Sequence, residues 1–236
     1  MATRTRGTSP GMRLQLGASV LSAARAIDTK LVKARLERFE RAHRSYVGAQ
    51  KKVDAAEEQL REVQKKLAEC DAVQDDAVIA LARSLISDGQ PYKNAFDAFG
   101  SPAPGTITRM PSAEAAEAVH ALVATVRRAK GVSEATLEAA KVADKAASVV
   151  EQALVPVAKL QENVRNARRT RDAVGRGWDT ALAGLQRGAK AAVDEGEPEL
   201  YPTLFPTVTR PTTKTKPPAE PAPPVTQPPA ATSNAA

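Results

Sequence analysis

Hydrophobic residues recur at alternating spacings of three and four from Asp28 to about Ser87, and this pattern predicts one long helix. Large and small residues alternate along this stripe for about eight heptads, as is typical of a coiled-coil seam. At ~1.5 Å per residue, a helix of this length would span about 90 Å. One series of seam positions takes Val32, Phe39, Tyr46, Val53, Leu60, Leu67, Gln74 and Leu81, and the other takes Arg35, Ala42, Ala49, Ala56, Val63, Cys70, Ala77 and Ser84.

A second long helix is predicted from about residue 133 to residue 194, again with bulky residues alternating with alanine. Ser133 is suited to cap its start. Pro156 should kink or break it, because proline lacks an amide donor and its ring clashes with the preceding turn. Its two seam series are Thr136, Ala143, Val150, Val157, Val164, Arg171, Trp178, Leu185 and Ala192, and Ala139, Ala146, Ala153, Leu160, Ala167, Val174, Ala181 and Gly188.

The segment between the two long helices predicts a short helical turn and a further helix. The turn would place Tyr92, Phe96 and Phe99 on one side, and Pro111-Ser112 would start a helix that continues to about Lys130. Two long helices of similar length predict an antiparallel arrangement. We therefore expect an all-α fold, a long antiparallel coiled-coil helical hairpin with an alanine-rich seam and one or two shorter helices at its tip or base.

Three regions are predicted along the chain. Residues 1–12 would be a disordered basic N-terminus, and residues 13–195 would form the helical domain, with long helices at about 28–88 and 133–194 and a loop and short helix at 89–132. Residues 196–236 would be a disordered tail, since 198–236 hold eleven of the 17 prolines. One apolar island in this tail is a candidate linear docking motif, for a partner or for the protein's own base: Leu200, Tyr201, Leu204 and Phe205.

Composition agrees with close-packed helices rather than a thick globular core. Apolar residues make up 42% of the chain but aromatic residues only 3%, and alanine favours helices that approach each other closely. The single cysteine, Cys70, excludes an internal disulfide and fits a reducing compartment, so we expect a cytoplasmic protein. The first 27 residues lack acidic groups, which leaves organelle targeting as the alternative.

Charge is unevenly distributed along the predicted rod. Residues 1–44 have ten Lys or Arg and three acids, and 159–190 have eight and three, whereas 53–90 have four bases and nine acids. An antiparallel arrangement would put the two basic segments together at the base and the acidic one toward the tip. Such a basic end can bind a polyanion or an acidic partner. The candidate residues are Arg38, Arg41, Arg44, Lys51, Lys52, Arg165, Arg168, Arg169 and Arg176.

Two Glu-x-x-His motifs, Glu40/His43 and Glu117/His120, are the candidates for metal chemistry, because helical bundles can bind two metal ions with such pairs. The seam register argues against a site. Glu40 and His43 should lie outside the seam with His43 near Trp178, and the two motifs should be far apart. With no phosphate-binding loop or nucleophile motif, we expect no enzyme activity, no cofactor, no metal and no small-molecule substrate.

The sequence favours a non-catalytic structural, scaffold or assembly protein that acts through protein–protein contacts. We expect homo-oligomers and a protein partner that the sequence does not identify. Polar seam residues such as Arg35, Gln74 and Arg171 would then fix register or partner number. The alternative is a helical module that binds anionic membrane or nucleic acid non-specifically at low salt through its basic end.

Overall fold

The regular structure of the described chain is entirely helical. The computed structural model describes residues 9–206, so residues 1–8 and 207–236, which make up most of the regions predicted to be disordered (1–12 and 196–236), lie outside it. The coarse prediction of a helical protein dominated by long helices is confirmed for these residues. The helices are α1 (Pro10–Ala24), α2 (Lys33–Ser87), α3 (Pro104–Ile107), α4 (Ser112–Val126), α5 (Glu134–Asp194) and α6 (Leu200–Leu204), with 3-10 turns at Lys30–Val32 and Asp97–Phe99.

The long helices α2 and α5 pack side by side and run in opposite directions. Arg168 of α5 donates to Glu57 of α2 at 2.7 Å, whereas Ser84, near the end of α2, contacts Thr136, near the start of α5, at 2.6 Å. Position numbers thus rise along one helix as they fall along the other. At ~1.5 Å per residue α2 is about 80 Å long. We call the end where α2 begins the base and the end where α2 finishes the tip.

Two separate hydrophobic clusters hold the helices together. The tip cluster packs α4, Phe96 and Ile107 against the end of α2 and the start of α5. The base cluster packs α1 and α6 against the start of α2 and the end of α5. The buried residues of the two long helices belong largely to the predicted seam. Examples are Phe39, Tyr46, Val53, Leu81, Val150, Val164, Trp178 and Leu185.

The tip follows its predicted start and stop signals. Ser133 accepts a hydrogen bond from the Thr136 amide and so caps α5, as expected. Asp88, which follows α2, accepts from the Ser133 amide at 3.0 Å, and this bond is the main reason that its pKa lies below the usual range. The prediction for Tyr92 is wrong: its side chain is 89% exposed while Phe96 is buried, because residues 92–95 are not helical.

At the base, α1 packs on α2 and α6 and reaches α5 through Arg13. Ser9 caps α1 and Pro10 occupies its first turn, so the helix begins before the predicted boundary at residue 13. Arg13 donates two hydrogen bonds to Asp179 of α5, at 2.9 and 2.8 Å. Gly17 faces the ring of His43, and a Cβ at this position would overlap that ring. A glycine therefore sets how closely α1 approaches α2.

Pro156 does not break α5, which is continuous from Glu134 to Asp194. Of the two predicted outcomes, a break is excluded, and a kink at Pro156 stays a prediction. Partly buried Leu154 packs on the tip cluster before the proline, and Val164 is buried after it. Packing against α2 on both sides of Pro156 thus offsets the local loss of one backbone hydrogen bond.

The apolar island of the predicted tail folds back on the base. Leu200 and Leu204 of α6 are 3% and 1% exposed and belong to the base cluster. The Lys190 ammonium lies 5.1 Å from the centre of the Tyr201 ring. The compact helical unit consequently continues to Phe205 rather than ending at residue 195, because these apolar side chains are removed from water there.

Candidate functional site

The residues of the predicted basic end are all exposed. Some are neutralised by carboxylates: Arg44 pairs with Glu40 and Arg168 with Glu57. Arg165 and Arg169 approach Glu162 at 3.6 and 3.9 Å. The others form no ion pair within residues 9–206, so the part of the α2–α5 pair nearer the base exposes unpaired cations to solvent. These are Arg38, Arg41, Lys51, Lys52 and Arg176.

Three arginines converge on one concavity near the base, which we call the arginine pocket. Arg35 and Arg38 of α2 and Arg187 of α5 line it, together with Thr180, Ala181 and Gly184, and its volume is about 220 Å³. Of the residues predicted for the basic end, only Arg38 lies in this pocket. Arg187 belongs to the basic segment 159–190 but is not among the residues predicted for the basic end, and Arg35 was predicted as a polar seam residue.

The backbone of α5 is exposed to these arginines because glycines replace side chains there. A Cβ at Gly188 would overlap the Arg35 side chain, so the guanidinium group rests directly against α5. Gly184, one turn earlier, has no atom within 4 Å of the position that a Cβ would take, and it leaves the pocket open. Glycine inside a helix costs roughly 0.5–1 kcal/mol relative to alanine. Glycine is nevertheless required at position 188, because the Arg35 side chain lies where a Cβ would be.

The other polar seam residues have different environments. Arg171, whose side chain is 14% exposed, pairs with Asp172 and reaches Gln50 of α2 at 3.4 Å. Gln74 is 1% exposed, and its Oε1 has no hydrogen-bond partner in the described chain. An unsatisfied buried acceptor costs about 1–3 kcal/mol, so Gln74 weakens the seam where it lies.

The two Glu-x-x-His motifs lie apart and do not form one site. His43 is buried and accepts a hydrogen bond from the Trp178 indole at 3.2 Å, so its predicted neighbour is confirmed. The seam register did not indicate its burial, which arises because α1 covers it. Burial lowers the pKa of His43, which agrees with a neutral ring that accepts a hydrogen bond from the indole.

His120 belongs to the tip, where its Nδ1 lies 2.7 Å from Asp144 of α5. Arg127 donates to the other oxygen of that carboxylate at 2.8 Å, and the pKa of Asp144 is lowered, chiefly by His120. Of the glutamates, Glu40 pairs with Arg44 and Glu117 is exposed. Within residues 9–206, no group of three or more His, Cys, Asp or Glu side chains is placed to hold a metal ion.

An apolar groove lies between α2 and α5 on the tip side of the centre. Three exposed valines form its walls: Val73 is 61% exposed, Val142 58% and Val149 41%. Cys70 and Ala146 complete the apolar lining, Glu69 and Lys145 also border the groove, and its volume is about 320 Å³. Cys70, predicted as a buried seam residue, is partly exposed here.

The candidate docking motif is occupied by the protein itself. Leu200 and Leu204 are buried, and Tyr201 and Phe205 are half-buried with their ring centres 5.3 Å apart. The prediction that this island docks on the protein's own base is therefore the one that agrees with the structure. In this conformation its two leucines cannot reach another protein.

Comparison with known proteins gives no further constraint on function. Among the described residues, none of the helices has the length and apolar character needed to cross a bilayer. No protein-family model, curated protein or solved structure has significant similarity to this chain.

Proposed function

We propose that this chain is a non-catalytic structural or assembly protein that associates with a second copy of itself through the apolar groove. The observation behind the proposal is the exposure of three valines in one groove, although most seam residues near them are covered. Contiguous exposed apolar surface bordered by charged residues is typical of an interaction site. Association would remove this surface from water at a gain of roughly 25 cal/mol per Å².

The groove favours a second copy as its occupant because its borders have opposite charges. Glu69 lies on α2 and Lys145 on α5, on either side of the same concavity. If two rods pack face to face in parallel about a twofold axis, α2 of each copy lies over α5 of the other. Glu69 then faces the second copy's lysine, and Lys145 faces the second copy's glutamate. An antiparallel pair would instead place like charges together. The arrangement we propose is the parallel one.

We also propose that α2 and α5 form an antiparallel coiled-coil hairpin within one chain. It is supported by the alternating large and small seam residues and by the Glu57–Arg168 contact between α2 and α5. A hairpin formed within one chain would leave the groove free for association, whereas helices exchanged between chains would make association obligatory.

Cross-linking distinguishes these two arrangements. With Cys70→Ser as background, Glu57→Cys and Arg168→Cys place thiols at a half-buried and an exposed position whose native side chains are in contact at 2.7 Å. We expect a short bismaleimide to link them within one chain at low protein concentration, and denaturing electrophoresis to show a monomer. In the control pair, Glu57→Cys with Glu138→Cys, the second thiol is some 30 residues or about 45 Å away along α5 and should not link. Predominantly dimeric products from the first pair would contradict the hairpin.

Charge placed in the groove should dissociate the proposed dimer. We expect Val142→Glu to raise the dimer dissociation constant at least about 10-fold, because a carboxylate would have to lose its water in an apolar interface. Sedimentation equilibrium over a range of concentrations measures the constant. Val155→Glu is the control, since Val155 is 77% exposed on the same helix and does not line the groove. A wild-type chain that stays monomeric at high concentration would refute self-association.

The charges at the groove test its orientation. Glu69→Lys and Lys145→Glu should each weaken a parallel dimer, because each places like charges opposite one another. The double variant restores opposite charges across the interface and should recover most of the affinity. Exposed ion pairs contribute about 0.2–1 kcal/mol each, so the changes will be a few-fold. Independent, additive losses in the double variant would exclude the parallel arrangement.

Binding to anionic membrane or nucleic acid is the second candidate function. It is supported by the free cations Arg38, Arg41, Lys51, Lys52 and Arg176 on the lower part of the rod. Such binding would be independent of sequence and would fall steeply as salt is added. Absence of binding to DNA and to anionic vesicles at low salt would remove this function without affecting the groove proposal.

A further inference from the structure

The arginine pocket holds three positive charges without a matching carboxylate. Arg35, Arg38 and Arg187 form no ion pair with any residue of the described chain. Their neighbours one helical turn away cannot supply one, because none of the positions three or four residues before or after any of the three is acidic. Besides the pocket's own arginines, two of those neighbours, Arg41 and Lys190, are basic. The three arginines therefore leave the pocket with a net positive charge.

The pocket is formed by specific features of both long helices. Arg35 and Arg38 lie one turn apart on α2 and so share a face, while Arg187 projects from α5. Gly188 lets the Arg35 side chain lie against the α5 backbone, and this close fit restricts where its guanidinium can go. Gly184 leaves the volume between the arginines unfilled. Arginines scattered over a surface would not require a glycine at either position, so the two glycines indicate a formed pocket.

We propose that the arginine pocket is a binding site for a phosphomonoester dianion. Guanidinium groups present paired donors that match the oxygens of a phosphate, and three of them can neutralise its charge while binding from two helices at once. The pocket, at about 220 Å³, is large enough for one such group. The Thr180 hydroxyl donates to the Arg176 carbonyl at 3.0 Å, so the arginines are the donors to the anion.

This site does not depend on self-association, because the pocket uses residues 35–38 and 180–187 whereas the groove uses residues 69–73 and 142–149. It also differs from diffuse attraction of polyanions to the basic surface. Binding to a diffuse basic surface weakens when any positive charge is removed. Binding in the pocket weakens when one of its own arginines is removed or when its volume is filled.

The test is titration of the full chain with inorganic phosphate, followed through the guanidinium N–H resonances of the arginines. We expect saturable shifts of the resonances that Arg35→Gln or Arg187→Gln removes, and affinity about 10-fold or more lower in either variant, because each loses a charge-assisted donor. Arg176→Gln is the matched control, since it removes one exposed, unpaired charge from α5 outside the pocket. Equal losses in all three variants would overturn the site.

A fourth variant, Gly184→Leu, fills the pocket without changing any charge. The fold should tolerate it, because a Cβ at Gly184 meets no atom and leucine is a better helix former. We expect it to abolish phosphate binding. Retained binding in this variant would overturn the pocket as the site.

Vesicles distinguish the source of the phosphate group. Free phosphate binding that the pocket variants abolish identifies a soluble phosphomonoester. Binding only to phosphatidylcholine vesicles that contain phosphatidic acid, again lost in the pocket variants, identifies a lipid headgroup. If neither probe binds, or if the pocket variants bind as the wild type does, the proposal is wrong.

Discussion

Trp178→Ala is expected to lower the free energy of unfolding by about 3–5 kcal/mol, the range for removing a large aromatic side chain from a packed core. Trp178 is fully buried in the base cluster. Its ring centre lies 5.5 Å from that of Phe39 and 6.3 Å from that of Tyr46, and its indole donates to His43. The substitution removes all of these contacts and leaves the His43 ring without its donor. Urea denaturation followed by far-UV circular dichroism measures the loss.

The control for this variant is another aromatic residue truncated to alanine. Tyr92 is 89% exposed, and Tyr92→Ala should change the free energy of unfolding by no more than about 0.5 kcal/mol. A loss for Trp178→Ala that is similarly small would mean that α1, α2 and α5 do not enclose this residue in solution. The base cluster as described would then be wrong.

Gly17→Ala should destabilise the protein by about 1–3 kcal/mol, as expected when a methyl group is forced into a packed site. The added Cβ would overlap the His43 ring. That ring is buried and hydrogen-bonded to Trp178, so relief requires either moving the ring from the indole or lifting α1 away from α2. Hydrogen exchange of the α1 amides, measured together with urea denaturation, should show faster exchange in the variant.

The same substitution six residues earlier in α1 provides a control with the opposite sign. Gly11 is exposed, and a Cβ there would meet nothing within 4 Å. Gly11→Ala should therefore stabilise the protein by up to about 1 kcal/mol, because alanine is the better helix former. A gain for Gly17→Ala as well would mean that α1 does not pack on His43.

The long helices and their buried faces could be predicted because the information is local. Each seam residue lies three or four positions from the next, so a single chain segment reveals which side will be covered. The same local rules account for Ser133 as a cap and for the inner face of α4, which is formed by Val119, Leu122 and Val126. The break that was predicted as one outcome at Pro156 does not occur, because the effect of a single residue on its helix does not include the packing on either side of it.

The features that were missed depend on residues far apart in the chain. His43 is buried because α1 crosses it at a glycine, and nothing near position 43 indicates that cover. The arginine pocket joins Arg35 to Arg187 across more than 150 positions. One local signal was available, namely the absence of acidic residues one turn away from each arginine. It predicts unpaired charge but does not place the two helices.

The separation of the two hydrophobic clusters has a consequence for the motions of the molecule. Between Val53 and Gln74 no residue of α2 is buried, and on the facing part of α5, between Val150 and Gly175, only Val164 is. Local opening costs least where few apolar contacts must be broken, so the middle of the rod should open and bend more readily than its ends, and Pro156 lies within it. Because the groove borders this flexible section, a second copy bound there would also stiffen the middle of the rod.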